Sequence, residues 1–574
     1  MMRKQLEGAS VADSLRLLWL VALVAVVACS LFGLAASLVV AGLFYATGPS
    51  PDSALIPRFL AKAAVFAVLA GAALFAARRA AKAATTFLRS PDEPVLSGRP
   101  RHWLALIPPL VVTAALVFPR LGEYPWAAPD EIHHLVVARN VATLGAYASG
   151  HPDAELVPFD TYDSVGPPVI LPVALAFRLG GVNLAAGRAV MAVYFLVFCI
   201  MLFALLKPSM GPRGTAVAVL FMTCSFGSVY LGRTLYGEVP GLAWMGLGLL
   251  AWRRAMKTPA GIGWGLAAGV AFGLAVLCKS ILVLSAFAFL GVLIYDRLTF
   301  RRVLLVHVIA PAAGLVVVLG AWWLVQTISR YDVANAVGGT LGIYKHNLMF
   351  GLRSAPRTLR GVLQHPFVTL PLILAMLIAV NGLFWRRYEP AAGTLWLIAI
   401  FYAWWWAFFT PGSMPRYLWF TAAIGGAFTG SYAWTMVAAL HPLWYARRSP
   451  VAVAFAAALT ALIALFWLPP ILSIVSDARA VYAADETCDD YALAAWAAQL
   501  PADTAIAATW PVSGTLNFLA NKPARVLESI PDPIPANEVC IIDTMTRPDM
   551  LGKRMPTLRF GRYAVLTARA IAKE

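Results

Sequence analysis

The stretch Pro125-Trp-Ala-Ala-Pro-Asp-Glu-Ile-His-His134 places an acidic pair, Asp130 and Glu131, shortly after an apolar segment that ends near residue 118. Carboxylates are costly near hydrocarbon, so two of them at a membrane boundary favour a functional interpretation. The pair follows Pro129, and a proline with acidic residues behind it is typical of the first turn of a helix. The side of the membrane that the pair faces, and its surroundings, decide what it does.

The composition around this stretch is that of a membrane protein. Of 574 residues, 60% are hydrophobic and only 13% are charged, whereas soluble domains carry roughly 25% charged residues. The net charge of +17 comes largely from short loops between apolar segments, with doublets such as Arg253-Arg254 and Arg386-Arg387. Such doublets are topology signals. No basic stripe with interleaved aromatic residues is present, so no nucleic-acid partner is expected.

The apolar segments predict an all-α polytopic membrane protein with about thirteen transmembrane helices. The first segment has an apolar run of about 30 residues, too long for the core of a signal peptide, so it is interpreted as a retained helix. The predicted spans cover approximately residues 17–44, 57–77, 103–118, 186–206, 214–231, 237–252, 262–278, 281–295, 303–325, 366–384, 393–409, 416–438 and 450–469.

The distribution of basic residues orients these spans. If the N-terminus, with Arg3 and Lys4, is cytoplasmic, the basic doublets between spans fall on the cytoplasmic side as well. The complementary loops are then extracytoplasmic. They comprise the outer loops 119–185 and 326–365, a short turn near 411–415 and the tail after residue 470. Asp130 and Glu131 therefore face the extracytoplasmic side.

Three domains are predicted along the chain. Residues 1–102 form two extra N-terminal spans and a basic cytoplasmic linker, and 103–470 form the main transmembrane domain. Residues 471–574 form a small soluble α/β domain, because 491–500 has a helical pattern while 504–509 and 539–543 are typical of buried strands. Cys488 and Cys540 both lie in this outer domain, where the compartment permits a disulfide between them.

Two interpretations of the acidic pair remain open. In one, the carboxylates only cap a helix. In the other, a carboxylate held ionised by the helix N-terminus acts as a general base that deprotonates an acceptor hydroxyl. His133 and His134 could hold a metal or form a relay, although histidines in such places are more often interfacial.

Several cations are predicted at the same membrane face. Arg188 begins the fourth span, Arg233 and Glu238 share an outer turn, and Lys279 and Arg416 lie in two further outer turns. They are either snorkelling anchors or ligands for an anion carried by a lipid, because Lys and Arg are disfavoured on this side. A phosphate leaving group needs such charge stabilisation.

This arrangement resembles the C-type (GT-C) membrane glycosyltransferases, which include bacterial lipid A aminoarabinose and galacturonic acid transferases and protein O-mannosyltransferases. The likeness covers about residues 103–470. Its motifs are Pro129-Asp-Glu131 opening a helix in the first outer loop, Ser164-Val-Gly-Pro-Pro-Val-Ile-Leu-Pro172, Ala185-Ala-Gly-Arg188, the turn from Arg233 to Glu238, and Met414-Pro-Arg-Tyr417. The resemblance implies a multi-pass protein of the bacterial inner (cytoplasmic) membrane, with its active site and C-terminal domain outside.

The resemblance also implies a reaction. A sugar moves from a polyprenyl-phosphate donor to a hydroxyl of a lipid, envelope glycan or protein acceptor, usually with inversion. Asp130 matches the catalytic carboxylate, and Glu131 is its partner. Candidates to hold the donor phosphate are Arg233, Lys279, Arg416, Arg188 and Arg139. Candidates to contact the acceptor or sugar are His134, Asp160, Asp163, Glu238 and Tyr417.

The chain departs from the family's pattern in several respects. The outer loop 119–185 has no lysine, although the lipid A transferases often place a phosphate-binding lysine there, so arginines must substitute. Two spans precede the usual first helix. Asp160 and Asp163 do not form an Asp-x-Asp motif. No metal and no cofactor are therefore expected.

Two other classes of protein remain as alternatives. A lipid or sugar transporter or flippase shares the polytopic composition, but transporters usually place charges near the bilayer midplane and carry internal repeats. Here the charges lie at span ends and no repeat is visible. A ligase that moves a whole glycan from a lipid diphosphate shares the topology, but typically places its working loop late in the chain.

Overall fold

The computed structural model describes parts of residues 60–77, residues 100–330 with gaps at 126, 154–155, 160–164, 226, 259–260 and 301, residues 389–409 and 418–445, scattered positions between 460 and 481, and residues 489–567 with gaps at 510–511, 545–546 and 552–555. The predicted spans 17–44, 366–384 and 450–469 and the outer loop 326–365 lie wholly or largely outside these residues. The predicted domain boundaries stay predictions.

Within the described residues, four helices are long and apolar enough to cross a membrane: Leu184–Thr223, Gly261–Cys278, Ser280–Thr299 and Val306–Ile328. Three shorter apolar helices cover His102–Val117, Pro167–Gly180 and Pro390–Ala403. The protein is therefore mostly helical and multi-pass, as the sequence predicts. The total of about thirteen spans stays a prediction.

The first outer loop is more ordered than the sequence indicates. It follows helix α1 (Ile107–Val117) and contains helix α2 (Pro129–Leu144), a short hairpin of β1 (Ala148–Ser149) and β2 (Val157–Pro158), and helix α3 (Pro167–Gly180). Helix α3 is not predicted from the sequence, because prolines at its start and inside it resemble a loop signal. Proline is nevertheless compatible with the first turn of a helix.

Helix α2 begins and ends where local chemistry requires. Ala128 is extended, Pro129 occupies the first turn, and Asp130 and Glu131 follow at the positive end of the helix dipole. The helix ends at Gly145, whose φ of 71° is a left-handed conformation that suits glycine. The spacing of Ile132, Leu135, Val136, Val141 and Leu144 predicts a helix that lies along the membrane surface. In the structure, however, α2 is buried over most of its middle, including the polar residue Asn140.

Helix α4 (Leu184–Thr223) includes the predicted span 186–206 and the start of 214–231. Asn183 caps it by accepting a hydrogen bond from the Ala186 N–H at 2.8 Å. Gly211, with φ of 72°, interrupts the helical backbone, so the element consists of two helices joined at a kink. The second helix ends at Thr223 rather than at the predicted 231, and a turn leads to a separate short helix, Ser228–Leu231.

The longer helices that follow in the described part of the transmembrane domain are α5 (Glu238–Lys257), α6 (Gly261–Cys278), α7 (Ser285–Thr299), α8 (Val306–Arg330), α9 (Pro390–Phe409) and α10 (Trp419–Tyr445). Helices α6 and α8 approach each other closely through glycine. A Cβ atom on Gly269 would overlap the carbonyl of Pro311, and one on Gly314 would overlap the carbonyl of Leu266. Small residues allow such close backbone contact between membrane helices.

The C-terminal part contains helix α11 (Asp489–Ala498) and a five-stranded sheet of β3 (Ala505–Ala508), β4 (Ala524–Val526), β5 (Glu538–Asp543), β6 (Leu558–Phe560) and β7 (Tyr563–Thr567). The strand order is β4-β3-β5-β7-β6. Strand β3 is parallel to β4 and β5, whereas β7 is antiparallel to β5 and β6. All six residues of β5 are buried, which matches the predicted buried strand at 539–543.

Candidate functional site

The first turn of α2 separates the two acidic residues. Glu131 is fully buried, whereas Asp130 is partly exposed. Consecutive residues of a helix point about 100° apart, since there are roughly 3.6 residues per turn. One carboxylate is therefore directed into the protein while its neighbour stays accessible.

Glu131 forms a bidentate ion pair with Arg188, near the start of α4. Arg188 Nε donates to Glu131 Oε1 at 2.9 Å and Nη2 donates to Oε2 at 2.7 Å, and both side chains are fully buried. Arg188 Nη1 also donates to the carbonyl of Leu121 at 3.0 Å, and the Leu235 N–H approaches Glu131 Oε1 at 3.4 Å. These contacts tie α2, α4 and two connecting segments together.

His134 lies one turn further along α2, buried beside the segment before α5. Its Nδ1 is 2.6 Å from the carbonyl of Leu235. A carbonyl only accepts, so Nδ1 carries the proton. Burial, with smaller contributions from the charges of Lys279 and His133, lowers the pKa of His134 from 6.5 to about 3. The imidazole is therefore neutral at physiological pH.

Lys279 and Glu238 meet where the start of α5 lies against the segment that follows α6. Lys279 Nζ lies 3.8 Å from Glu238 Oε1, and both side chains are almost completely buried. Glu238 starts α5 directly after Gly237, which has φ of 84°. A Cβ atom on Gly237 would overlap the carbonyl of Cys278, so glycine permits the turn to lie against the segment that carries Lys279.

Arg233 is fully buried, close to the end of α1. Its Nη1 donates to the carbonyl of Leu116 at 3.2 Å, and its Nη2 donates to the carbonyl of Pro119. The guanidinium also lies 5.3 Å from the centre of the Tyr124 ring. These contacts hold the chain segment that leads from α1 to α2.

Arg139 lies away from the first turn of α2. Nine residues separate it from Asp130, which corresponds to about 13 Å along a helix. Arg139 donates to the carbonyl of Asn517 at 2.6 Å and to that of Gly150 at 3.1 Å. The described donors of Arg139 and Arg188 are directed at protein groups, and the phosphate-binding role of both residues stays a prediction.

Several predicted site residues lie outside the described residues: Asp160, Asp163, Arg416, Tyr417 and Cys488. Cys540 is buried on β5, and its pairing with Cys488 stays a prediction. Within the part of the chain that the structure describes, no group of three or more His, Cys, Asp and Glu side chains is placed to hold a metal ion.

The site also includes groups that the sequence does not reveal. The N–H and carbonyl of Leu235 contact Glu131 and His134, and the carbonyl of Leu121 contacts Arg188. Backbone groups leave no residue-type signal in a sequence. In addition, 104 residues separate Glu131 from Leu235, so no local sequence pattern predicts their contact.

Comparisons with known proteins agree with this fold. The dolichyl-phosphate-mannose-protein mannosyltransferase family model matches residues 165–323. The crystal structure of ArnT from Cupriavidus metallidurans bound to undecaprenyl phosphate is similar with a TM-score of 0.55 and 14% identity, over 82% of this chain and 98% of that chain. The apo ArnT structure from the same organism gives 0.52 and 15%, over 81% and 97%.

No curated protein sequence matches the chain significantly. The structural similarity spans almost the full length of ArnT, and the family match falls within the same transmembrane domain. The resemblance predicted from the sequence is thereby confirmed: the chain is a multi-pass membrane protein with the fold of the C-type membrane glycosyltransferases.

Proposed function

We propose that this protein is a glycosyltransferase that moves a sugar from a polyprenyl-phosphate donor to a hydroxyl of a lipid, envelope glycan or protein acceptor on the extracytoplasmic face. The shared fold with ArnT, which has been crystallised with undecaprenyl phosphate, and the match to a dolichyl-phosphate-mannose-dependent family support this class of donor. No metal or cofactor takes part in the proposed reaction.

The main observation in support of this mechanism is that the neighbouring carboxylates of Asp130 and Glu131 have different environments. Glu131 is buried against Arg188, whereas Asp130 is partly exposed at the positive end of α2. A carboxylate there is stabilised in its ionised form by the helix dipole, and it can accept a proton. Asp130 is therefore assigned as the general base, and Glu131 as the residue that fixes its position.

In the proposed step, the acceptor O–H gives its proton to Asp130, and the acceptor oxygen forms a bond to C1 of the sugar. The C1–O bond to the polyprenyl phosphate breaks, and its electron pair leaves with the phosphate oxygen. Attack from the face opposite the leaving group inverts the configuration at C1. Asp130 and the leaving phosphate then lie on opposite sides of the sugar.

The charge that develops on the phosphate needs cations nearby. Lys279 is a candidate for this role because it lies at a predicted outer turn; its ammonium is 3.8 Å from Glu238, so a donor phosphate would share it with that carboxylate. Arg416 remains a second candidate on a predicted outer turn. Neutral His134 and Glu238 are candidates for contacts with sugar or acceptor hydroxyls.

The proposal is tested by donor turnover. Purified protein is offered undecaprenyl-phosphate-linked aminoarabinose, galacturonic acid and mannose together with an envelope extract that supplies lipid, glycan and protein acceptors, and release of undecaprenyl phosphate is measured. We expect turnover of at least one donor, and a loss of about 100-fold or more in Asp130→Asn, the range typical for removal of a general base.

The matched control is Asp153→Asn, which neutralises a carboxylate of the same outer loop whose side chain is 80% exposed. This variant should keep wild-type turnover. Full activity of Asp130→Asn would show that the base assignment is wrong. Facilitated movement of an intact donor across a bilayer, with no cleavage, would favour a flippase instead.

A further inference from the structure

The kink of α4 lies at the membrane face opposite the acidic pair. Arg188, which pairs with Glu131, is near the start of α4, and Gly211 lies 23 residues further along the chain. These residues span about 35 Å of helix, since each residue adds about 1.5 Å, and the hydrocarbon core of a bilayer is about 30 Å thick. The kink is therefore on the predicted cytoplasmic side.

Contacts of Thr113 on α1 show that α4 folds back at Gly211. The hydroxyl of Thr113 lies 3.9 Å from Cys199 Sγ in the first half of α4 and 2.8 Å from the hydroxyl of Thr223 in the second half. Cys199 and Thr223 are each twelve residues from Gly211, on either side of it. The two halves thus lie side by side, and Gly211 is at the tip of a helical hairpin.

A cavity of about 470 Å³ lies beside this tip. It is bounded by the tip itself, by the segment Pro100–Leu106 that precedes α1, and by α10. Cavities of about 300–1,000 Å³ are typical of sites for small ligands. Its wall combines apolar side chains with an imidazole and a guanidinium: Met210, Pro212, Trp434, His102 and Arg213.

The surroundings of the cavity are positively charged. Arg213 is exposed at the tip, and Lys207 lies about one turn before it, with Nζ 4.7 Å from the centre of the Trp103 ring. In the part of the chain that the structure describes, no carboxylate pairs with Lys207 or Arg213. The second half of α4 begins at Pro212, so the positive end of its dipole adds to the field of these cations. An anion is therefore the expected occupant.

The residues next to the cavity place it at the depth of lipid headgroups. Trp103, beside His102, is 40% exposed, and Leu104 and Ile107 on the adjoining chain are more exposed still. Exposed apolar side chains in a membrane protein face the acyl chains, whereas tryptophan is enriched where the hydrocarbon meets water. The cavity thus lies at the level of the phosphates, with apolar surface beside it.

We propose that this cavity binds the phosphodiester headgroup of an anionic phospholipid in the cytoplasmic leaflet. Basic pockets between transmembrane helices on the cytoplasmic side are suited to such headgroups. Arg213 and Lys207 supply the charge, His102 a hydrogen-bonding nitrogen, and the exposed side chains of Leu104 and Ile107 contact the acyl chains. The inference is independent of the proposed glycosyl transfer, because the site lies at the other membrane face.

The test is lipid binding to the purified full-length protein in detergent. Phosphatidylglycerol or phosphatidylcholine is titrated in, and bound lipid is measured by native mass spectrometry. We expect one saturable site for phosphatidylglycerol and none for the zwitterionic lipid. Arg213→Gln should raise the Kd about fivefold, and Lys207→Gln with Arg213→Gln about 25-fold, since each basic residue near an anionic headgroup contributes a factor of about five.

Two further variants separate the cavity from the surface charge around it. The matched control is Arg254→Gln, because Arg254 is also exposed on the predicted cytoplasmic side but lies beside Trp264, at 5.6 Å from its ring centre. It should keep the wild-type Kd. Ala105→Phe adds volume to the cavity wall without changing a charge, and it should weaken binding at least fivefold. Thermal unfolding without lipid shows which variants keep the fold.

A soluble phosphate is distinguished from a lipid by competition. Glycerol 3-phosphate at the same concentration should leave phosphatidylglycerol bound, since it lacks the acyl chains, and displacement would assign the site to a soluble anion. Equal Kd values for Arg213→Gln and Arg254→Gln would reduce the binding to general surface attraction and overturn the inference. So would equal retention of phosphatidylcholine, or wild-type binding by a folded Ala105→Phe. If that variant does not fold, the comparison of the charge variants decides.

Discussion

At the scale of single residues, the acidic pair has one feature that the sequence predicts and one that it does not. Pro129 with two acids behind it predicts the start of α2, and the structure begins the helix there. The bidentate pairing of Glu131 with Arg188 is not predictable in the same way. The two residues are 57 positions apart, and their contact depends on how α4 packs beside α2.

The buried pair gives a stability prediction. Glu131→Ala leaves the Arg188 charge buried without its partner, so we expect a loss of about 3–5 kcal/mol in the free energy of unfolding. The double variant Glu131→Leu with Arg188→Met removes both charges and should lose less than the single variant, because no ion is left desolvated. Unfolding in detergent, followed by circular dichroism, measures both. An equal or larger loss in the double variant would contradict this interpretation.

At the scale of elements, the length of an apolar run in the sequence predicts a membrane helix well. It carries no information on whether another domain buries a helix. The helical segments α5 to α8 lie close to the predicted spans, because a lipid-facing helix must be apolar along its length. The pattern of α2 predicts a helix that lies along the membrane surface. Its additional buried side is polar, since Arg139 and Asn140 bond to backbone carbonyls there, and hydrophobic periodicity cannot detect such a face.

The turn before α5 provides a prediction at this scale. Gly237 and Gly145 both have positive φ, but only Gly237 has a neighbouring carbonyl where a Cβ would lie. Gly145→Ala should cost about 1–2 kcal/mol of unfolding free energy from backbone strain. Gly237→Ala should add about 1–3 kcal/mol from overpacking and should also lower donor turnover, because the turn positions Glu238 beside Lys279.

Thermal unfolding and donor turnover of the two alanine variants, measured side by side, check this expectation. Gly145 ends α2 with open space around it, so its variant serves as the control for strain alone. Equal stability of the two variants would mean that the close approach of Gly237 to Cys278 is unimportant.

At the scale of the whole molecule, the orientation in the membrane is predicted from the distribution of charge and stays a prediction. The basic doublets predict that Asp153 is extracytoplasmic and that Lys257, at the end of α5, is cytoplasmic. Both residues are exposed. The arrangement of the C-terminal domain over α2 is not predictable from these signals, because it rests on contacts of Tyr491, Asn517 and Phe518 with distant segments.

Cysteine labelling tests the orientation. In intact cells, a membrane-impermeant maleimide should label Asp153→Cys, whereas Lys257→Cys should react only after permeabilisation. The wild-type chain provides the background; of its six cysteines, the four that the structure describes, Cys199, Cys224, Cys278 and Cys540, are buried. Labelling of Lys257→Cys in intact cells would invert the predicted topology and place Asp130 in the cytoplasm.

The glycine contact between α6 and α8 has a mechanical consequence. With Gly269 against Pro311 and Gly314 against Leu266, the two backbones leave little room to slide past each other. Helix α6 ends next to Lys279, and α8 ends where the predicted second outer loop begins. We therefore expect α6 and α8 to move together as one unit, with Lys279 at the end of α6 held to that unit.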